Sequence, residues 1–332
     1  MSETGAAVAT RPLPSPARIT VDNQIIYRIS GPGTDKFLQG QFSQQLEDVT
    51  EEFSPRAAAC SPKGRAYCLT RMVRDGEDIL VVLPSSLAEE TVTHLRKYLM
   101  LFRGTSMDVQ SDARLIGLLG EAAAAKLLDQ ATEKLPSPSD SARVPGGHLI
   151  RTLDTAEGLR RFEFWQTGES PANIQEALDE LPEDSTATWM ASEIAAGVAH
   201  LNPETREKYV PQMLNWQHLG GVHFKKGCYT GQEVIARMHF LGQLKKSLFR
   251  FSCSDTTEAP AAGTPLKSED RSVGEVVSSI RCSDGTSQCL AVVKHDAADK
   301  DLSLETTPDS PLIRLPIPYR VPEREPTASS DT

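Results

Sequence analysis

The chain has no long apolar run, no basic excess and no paired cysteines. A membrane helix needs about 20 consecutive apolar residues, and segments such as ILVVL (79–83) are only strand-sized. Lys and Arg number 35 against 45 Asp and Glu, a net charge of −10. Proteins that wrap nucleic acid through phosphate contacts carry the opposite balance, so general nucleic-acid binding is disfavoured. The six cysteines, at 60, 68, 228, 253, 282 and 289, form no C-x-x-C pair. That spacing disfavours a structural zinc site and a resident iron–sulfur cluster, and no metal site is expected. The first residues hold no apolar signal core, and only Arg11 and Arg18 among the first twenty are basic. The reading is cytoplasmic, with reduced thiols.

What is there fits two or three domains, because 332 residues exceed one ordinary core. Residues 1–17, with prolines at 12, 14 and 16, read as a flexible tail. ITVDNQIIYRISG reads as strand and GPGTDKFLQGQFS as a helix start. Asp75-Gly76 marks a hairpin between alternating strands. Residues 85–101 read as a helix capped by Ser85 or Ser86. Residues 111–187 repeat that layout: a strand, an alanine-rich helix, a strand pair around Glu157-Gly158 and a short helix at 173–181. Short strands separated by SDG turns close the chain. The class is α+β with two similar lobes and a small all-β module. The expected division is a first lobe at 18–110 with 188–245, a second lobe at 111–187, a C-terminal module at 246–322 and a tail at 323–332.

The chemistry concentrates in KKGCYTGQE, residues 225–233. Thr230 and Glu233 precede Val234-Ile235 in the T-x-x-E capping-box pattern. Cys228 would then stand two residues before a helix N-terminus, beside Lys225 and Lys226, in surroundings that favour the thiolate. The competing reading is an ordinary turn with Cys228 packed inward, and composition does not separate the two. Between Gly221 and Arg250 six cations (Lys225, Lys226, Arg237, Lys245, Lys246, Arg250) face the single acid Glu233, a local balance of +5. Such an island suits a carboxylate- or phosphate-bearing ligand; a solvated face with a Glu233–Arg237 pair explains it equally. Trp189 and Glu193 are four residues apart, on one face of a helix. An aromatic plane beside a carboxylate suits a heteroaromatic ring with N–H donors, and a core role is the alternative. The five other cysteines read as small core residues.

FLQGQ (37–41), SPKGR (61–65), EIAAGV (193–198), YVPQMLNWQHLGGVHFKKGCYTGQEVIAR (209–237) and VGEVVSS (273–279) together resemble the YgfZ family. This is the folate-binding, iron–sulfur-maintenance branch of the glycine-cleavage T-protein (aminomethyltransferase) superfamily, and the resemblance runs from Ile19 to Val321. It implies two α+β lobes around a central folate pocket with a C-terminal β-barrel. It implies tetrahydrofolate, or a one-carbon derivative, as ligand. It implies iron–sulfur enzymes or assembly proteins as partners, including a tRNA-thiolating enzyme, so that the link to tRNA is indirect. Cys228 matches the family's motif cysteine, Lys226 its lysine, and Trp189 is similar to its pterin-side tryptophan. Glu193, Tyr229, Glu233 and Arg237 join the expected binding residues. A second family tryptophan has no match, and Tyr27 is the nearest aromatic. KGRAYCLT (63–70) places Tyr67 and Cys68 where T-protein relatives carry an acidic pair. Without that carboxylate, acid–base help for one-carbon transfer is missing. The expectation is therefore a folate-binding accessory protein; an active one-carbon transferase and a non-catalytic scaffold are the alternatives.

Overall fold

In the computed structural model, residues 7–242, 244–254 and 257–322 are described. Three sheets organise them. The first lobe is a five-stranded sheet in the order Arg56–Cys60, Ala66–Asp75, Asp78–Pro84, Gln24–Ser30, Ser106–Val109. The second lobe is a six-stranded sheet in the order Glu183–Asp184, Ala17–Thr20, Arg114–Leu119, Arg161–Gln166, Gly147–Arg151, Ser141–Val144. Seven strands of the C-terminal region, joined by Val8–Ala9, form an eight-stranded sheet that curls into a half-barrel. Among the described residues no helix is long and apolar enough to cross a membrane.

Alternation along the strands decides what each face does. In Arg161–Gln166, Phe162 and Phe164 point into the second lobe's own core with Leu149 and Leu178. Trp165, on the other face, joins Ile19, Leu115 and Trp189 in a core shared with the first lobe. The first lobe is built the same way. Tyr27 and Ile29 pack on its helical side, while Ile26 faces the shared core. Each of these phenylalanines contributes about 1.5–3 kcal/mol by leaving water.

The helix Thr186–Ala195 lies in the middle and is buried nearly all round. Its N-cap is Ser185, whose hydroxyl accepts from the Thr188 amide. Its buried surface includes the polar Thr188, Ser192 and Glu193 as well as apolar residues, and it touches the second-lobe strand Ala17–Thr20 and the C-terminal sheet.

Several expectations change. ITVDNQIIYRISG is two strands in different sheets: Ala17–Thr20 pairs with Arg114–Leu119 and Gln24–Ser30 with Asp78–Pro84. The expected first lobe, 18–110, thus loses Ala17–Thr20 to the six-stranded sheet of the second. The expected N-terminal tail is pinned from Val8, because Val8–Ala9 pairs in parallel with Arg281 and Cys282. Ala9 is fully buried against Ala187 and Ala191. Residues 1–6 and the expected tail 323–332 lie outside the described residues. The alanine-rich helix is only two short turns, Glu121–Ala124 and Ala131–Lys134. The helix Ser85–Leu99 forms as expected but starts after Pro84 with no side-chain cap. The Asp75-Gly76 hairpin also forms, with Gly76 at φ 64°.

Candidate functional site

Two places carry the chemistry: a buried polar cavity between the lobes and the exposed motif loop. The cavity is lined by Arg56, Thr70, Arg71 and Val82 of the first sheet, Leu115 and Glu163 of the second, and Trp189, Glu193, His200 and Trp216. Its charges are paired. Arg71 donates through Nε to Glu163 Oε2 at 3.0 Å and through Nη1 to the Ser54 carbonyl at 2.6 Å. Trp165 Nε1 also donates to Glu163 Oε2, at 3.0 Å. Arg161 Nη2 bonds Glu193 Oε1, and its Nε donates to Ser192 Oγ at 2.9 Å. His200 Nε2 lies 2.9 Å from Glu193 Oε2. Arg56 is held more loosely. It donates to Thr152 Oγ1 at 3.1 Å, stands 4.0 Å from both carboxylates, and lies over the Trp216 ring at 5.5 Å.

Burial works against the charged form of Glu193, yet Arg161, the His200 hydrogen bond and Arg56 hold its carboxyl well below the usual range. Burial likewise opposes ionisation of Glu163, and Arg71 and Arg56 reverse it. Both carboxylates are therefore ionised at neutral pH and suited to accept N–H donors rather than to shuttle protons. The three guanidiniums outnumber these two carboxylates by one positive charge.

Trp189 and Glu193 come together as the i,i+4 spacing implied, but neither is idle. Trp189 packs on Gly117, where an added Cβ would fall 2.3 Å from its ring. The Arg161 guanidinium lies over the same ring at 4.5 Å. The unfilled space between these side chains is only ≈ 30 Å³, the scale of bound water and not of a bicyclic ring. The donor set fits a pterin edge, which presents adjacent N–H donors and a carbonyl; the space does not, so the lining must open around such a ring. Tyr27 does not reach the cavity, because strand alternation turns it to the first lobe's helical side.

The motif loop differs from its sequence reading in three ways. The capping box does not form. The helix runs Gln232–Phe240 with Gly231 as N-cap at φ 84° and no side-chain cap bond. The Thr230 amide donates instead to the Gly40 carbonyl at 3.1 Å. Cys228 thus stands three residues, not two, before the N-cap. The basic island breaks up: Lys225, Arg237 and Lys245 are exposed, whereas Lys226 and Arg250 are buried. Arg250 is engaged by Glu157 at 2.7 Å and by Gln288.

Lys226 serves the loop itself. Its Nζ donates to the Gln39 and Phe42 carbonyls at 2.7 and 2.6 Å, at the C-terminus of the helix Thr34–Gln41, and lies 4.8 Å from the Tyr229 ring centroid. Burial pulls its ammonium down to about 7. Tyr229, an expected binding residue, is buried in the core with Cys60 and Ile235. Gly231 is required by contact as well as by φ: a Cβ there would meet the Ser61 carbonyl at 2.6 Å and the Gly64 Cα at 3.2 Å. SPKGR and KGCYTGQE thereby interlock. What the loop leaves outside is Cys228, the one exposed thiol of six, with Glu233 and Arg237 on the outer face of the following helix.

Sequence reasoning missed Arg56, Arg71, Arg161, Glu163, His200 and Trp216. The available signal was an arginine inside an apolar strand (RAAAC, CLTRMV) and the alternation R-F-E-F-W, which sends Arg161, Glu163 and Trp165 to one face.

The sheets and this central cavity define a T-protein-like fold. The aminomethyltransferase T of the glycine cleavage system from Bartonella henselae superposes with a TM-score of 0.67 over 96% of this chain and 87% of that one, at 15% identity. Within that class, the curated relatives are named tRNA-modifying protein YgfZ. The one from Yersinia pestis (strain Pestoides F) is 30% identical over 311 residues, covering 92% of this chain and 93% of the relative. Those from Yersinia enterocolitica and Escherichia coli (strain SMS-3-5 / SECEC) are 29% identical over 310 and 312 residues, 92% of this chain and 93% and 94% of theirs. The chain belongs to the YgfZ family. No family model matches it.

Proposed function

We propose that the protein is a cytoplasmic, folate-binding accessory factor for iron–sulfur enzymes, tRNA-thiolating enzymes among them, with Cys228 as its working thiol. The observation that carries this reading is the contrast among the thiols. Five cysteines are buried, and Cys228 alone is exposed, on a loop whose other motif residues are spent on holding it in place. The relatives' name, tRNA-modifying protein, supports the direction. Tetrahydrofolate is assigned to the inter-lobe cavity, where Glu163 and Glu193 would accept pterin N–H donors and Arg56 would meet a carbonyl. No acid in this cavity is poised for proton transfer, which favours an accessory role over one-carbon transfer.

The test is complementation of a strain with defective iron–sulfur-dependent tRNA thiolation, using wild-type and Cys228→Ala proteins. Loss of tRNA thiolation with Cys228→Ala, at unchanged protein level, supports the reading. Full rescue by that variant returns the protein to a scaffold. Titration with tetrahydrofolate, read by tryptophan emission, tests the ligand separately: equal affinity in wild type and Trp189→Ala removes the pterin from this cavity.

A further inference from the structure

The motif loop and its helix form one outward surface. The Phe224 ring stacks on His239 at 3.6 Å between centroids and meets Phe240 at 6.3 Å, while Gln232 Nε2 donates to the Lys226 carbonyl at 3.3 Å. The segment 224–228 therefore runs along the helix from its C-terminal to its N-terminal end. Glu233, Arg237 and Phe240 recur at i, i+4 and i+7, so they share the outer face, opposite the buried Ile235. Phe240 is 43% exposed and Leu241, just beyond it, 82%. Along the loop, this helix and the segment after it, the exposed charged residues are Lys225, Arg237 and Lys245 against Glu233.

We propose that this face is a docking surface for a protein partner that presents carboxylates around an apolar socket, and that docking there brings the partner to the Cys228 thiol. The proposal rests on the reading of Cys228 as the working thiol. Charge argues for the partner's chemistry: the patch is cationic on a chain whose net charge is −10, so an acidic surface is attracted here and repelled elsewhere. Leu241 argues for protein rather than RNA, because an aliphatic side chain fills a socket and offers no plane for base stacking. Met100 and Leu101 are also exposed, at 78% and 79%, but no exposed thiol other than Cys228 exists to serve a partner there.

The experiment places a benzophenone photo-crosslinking residue at position 241 of the full chain, and in a second variant at position 109. Val109 is 53% exposed but flanked by the exposed Asp108 and Asp112. After irradiation in cells, mass spectrometry identifies the crosslinked peptide, and the purified partner is then titrated against wild type, Arg237→Glu and Phe240→Ser. Expected are crosslinks from 241 and not 109 to a protein segment bearing at least two carboxylates. Each substitution should weaken binding about tenfold or more, wild-type binding should weaken with salt, and Cys228 alkylation should be unchanged in both variants. Crosslinks to nucleic acid or to a second copy of this chain, equal crosslinking at 109, no crosslink, or unaltered affinity would overturn the docking surface. A partner that docks as described while Cys228→Ala still supports tRNA thiolation would instead overturn the role of the thiol, leaving the surface standing.

Discussion

The inter-lobe cavity and the motif loop handle charge in opposite ways. In the cavity, three arginines and two glutamates from separate strands and a helix are buried together, each group held by others. In the loop, one buried lysine and Gly231 fix the backbone, and the Cys228 thiol stands in solvent. The cavity's chemistry is inseparable from the fold's stability. The loop's chemistry is an added atom whose removal leaves the fold alone.

The largest expected effect probes that division. Glu193→Ala leaves the buried Arg161 and Arg56, and the half-buried His200, around a missing anion. Removing one partner of such a buried pair costs about 3–5 kcal/mol. Cys228→Ala, at an exposed position, should change stability by no more than about 0.5 kcal/mol. Urea unfolding of the two variants beside wild type reads both numbers. Comparable losses at the two sites would erase the distinction.

Thiol labelling sharpens the same contrast. The Cys68 thiol is pushed up to about 12 by burial, and burial raises Cys60, Cys289 and Cys282 as well. Those thiols react only when the structure opens, whereas Cys228 needs no opening. A brief iodoacetamide pulse at pH 7.5, mapped by mass spectrometry, should label Cys228 on the order of 100-fold faster than Cys60 or Cys68. Faster labelling at Cys60 or Cys68 would mean that the strand pair Arg56–Cys60 and Ala66–Asp75 opens readily, and the loop would lose its support.

The two motif glycines give a smaller, internal control. Gly231→Ala puts a side chain at φ 84° and into the Ser61 carbonyl, and should cost about 1–3 kcal/mol. Gly227→Ala meets only Gln39 Nε2, at 4.0 Å, and should stay within about 0.5 kcal/mol. Thermal melts of the pair decide whether the interlock with SPKGR, rather than glycine content in general, holds the loop.

The same contrast explains what could be read from the chain. The loop was legible because its residues are contiguous and their pattern is specific. Trp189 and Glu193 were legible because helical spacing brings them together. The hairpin at Asp75-Gly76 was legible from its turn residues. The rest of the cavity was not, because Arg56, Arg71, Arg161, Glu163 and Trp216 meet only through sheet register and lobe packing. Local rules also failed where a distant partner won. The capping box yielded when the Thr230 amide found the Gly40 carbonyl. The basic island dissolved because Lys226 and Arg250 turn inward to carbonyls and side chains far off in the sequence.

Lys226 sits on the border between the two regions, a buried charge within the exposed motif, and gives the smallest expected effect. Burial lowers its ammonium from 10.5 to about 7, with no carboxylate beside it among its bonded partners. Two carbonyls at a helix C-terminus and the Tyr229 face oppose that drop by favouring the charged form. The sign follows from proton counting. Between pH 7 and 10.5 the unfolded chain keeps this proton and the folded chain releases it, so folding stability rises with pH across that window; below 7 both states are protonated and the slope vanishes. One proton sets a ceiling of about 1.4 kcal/mol per pH unit, and the opposing carbonyls should leave a few tenths. Lys226→Met keeps the stem packed on Tyr229 and removes the titration. Urea midpoints from pH 6.5 to 9 should therefore climb more steeply for wild type than for Lys226→Met. Parallel profiles would mean that Lys226 stays charged throughout, with the helix C-terminus outweighing burial, and the loop would then be clamped by a permanent cation.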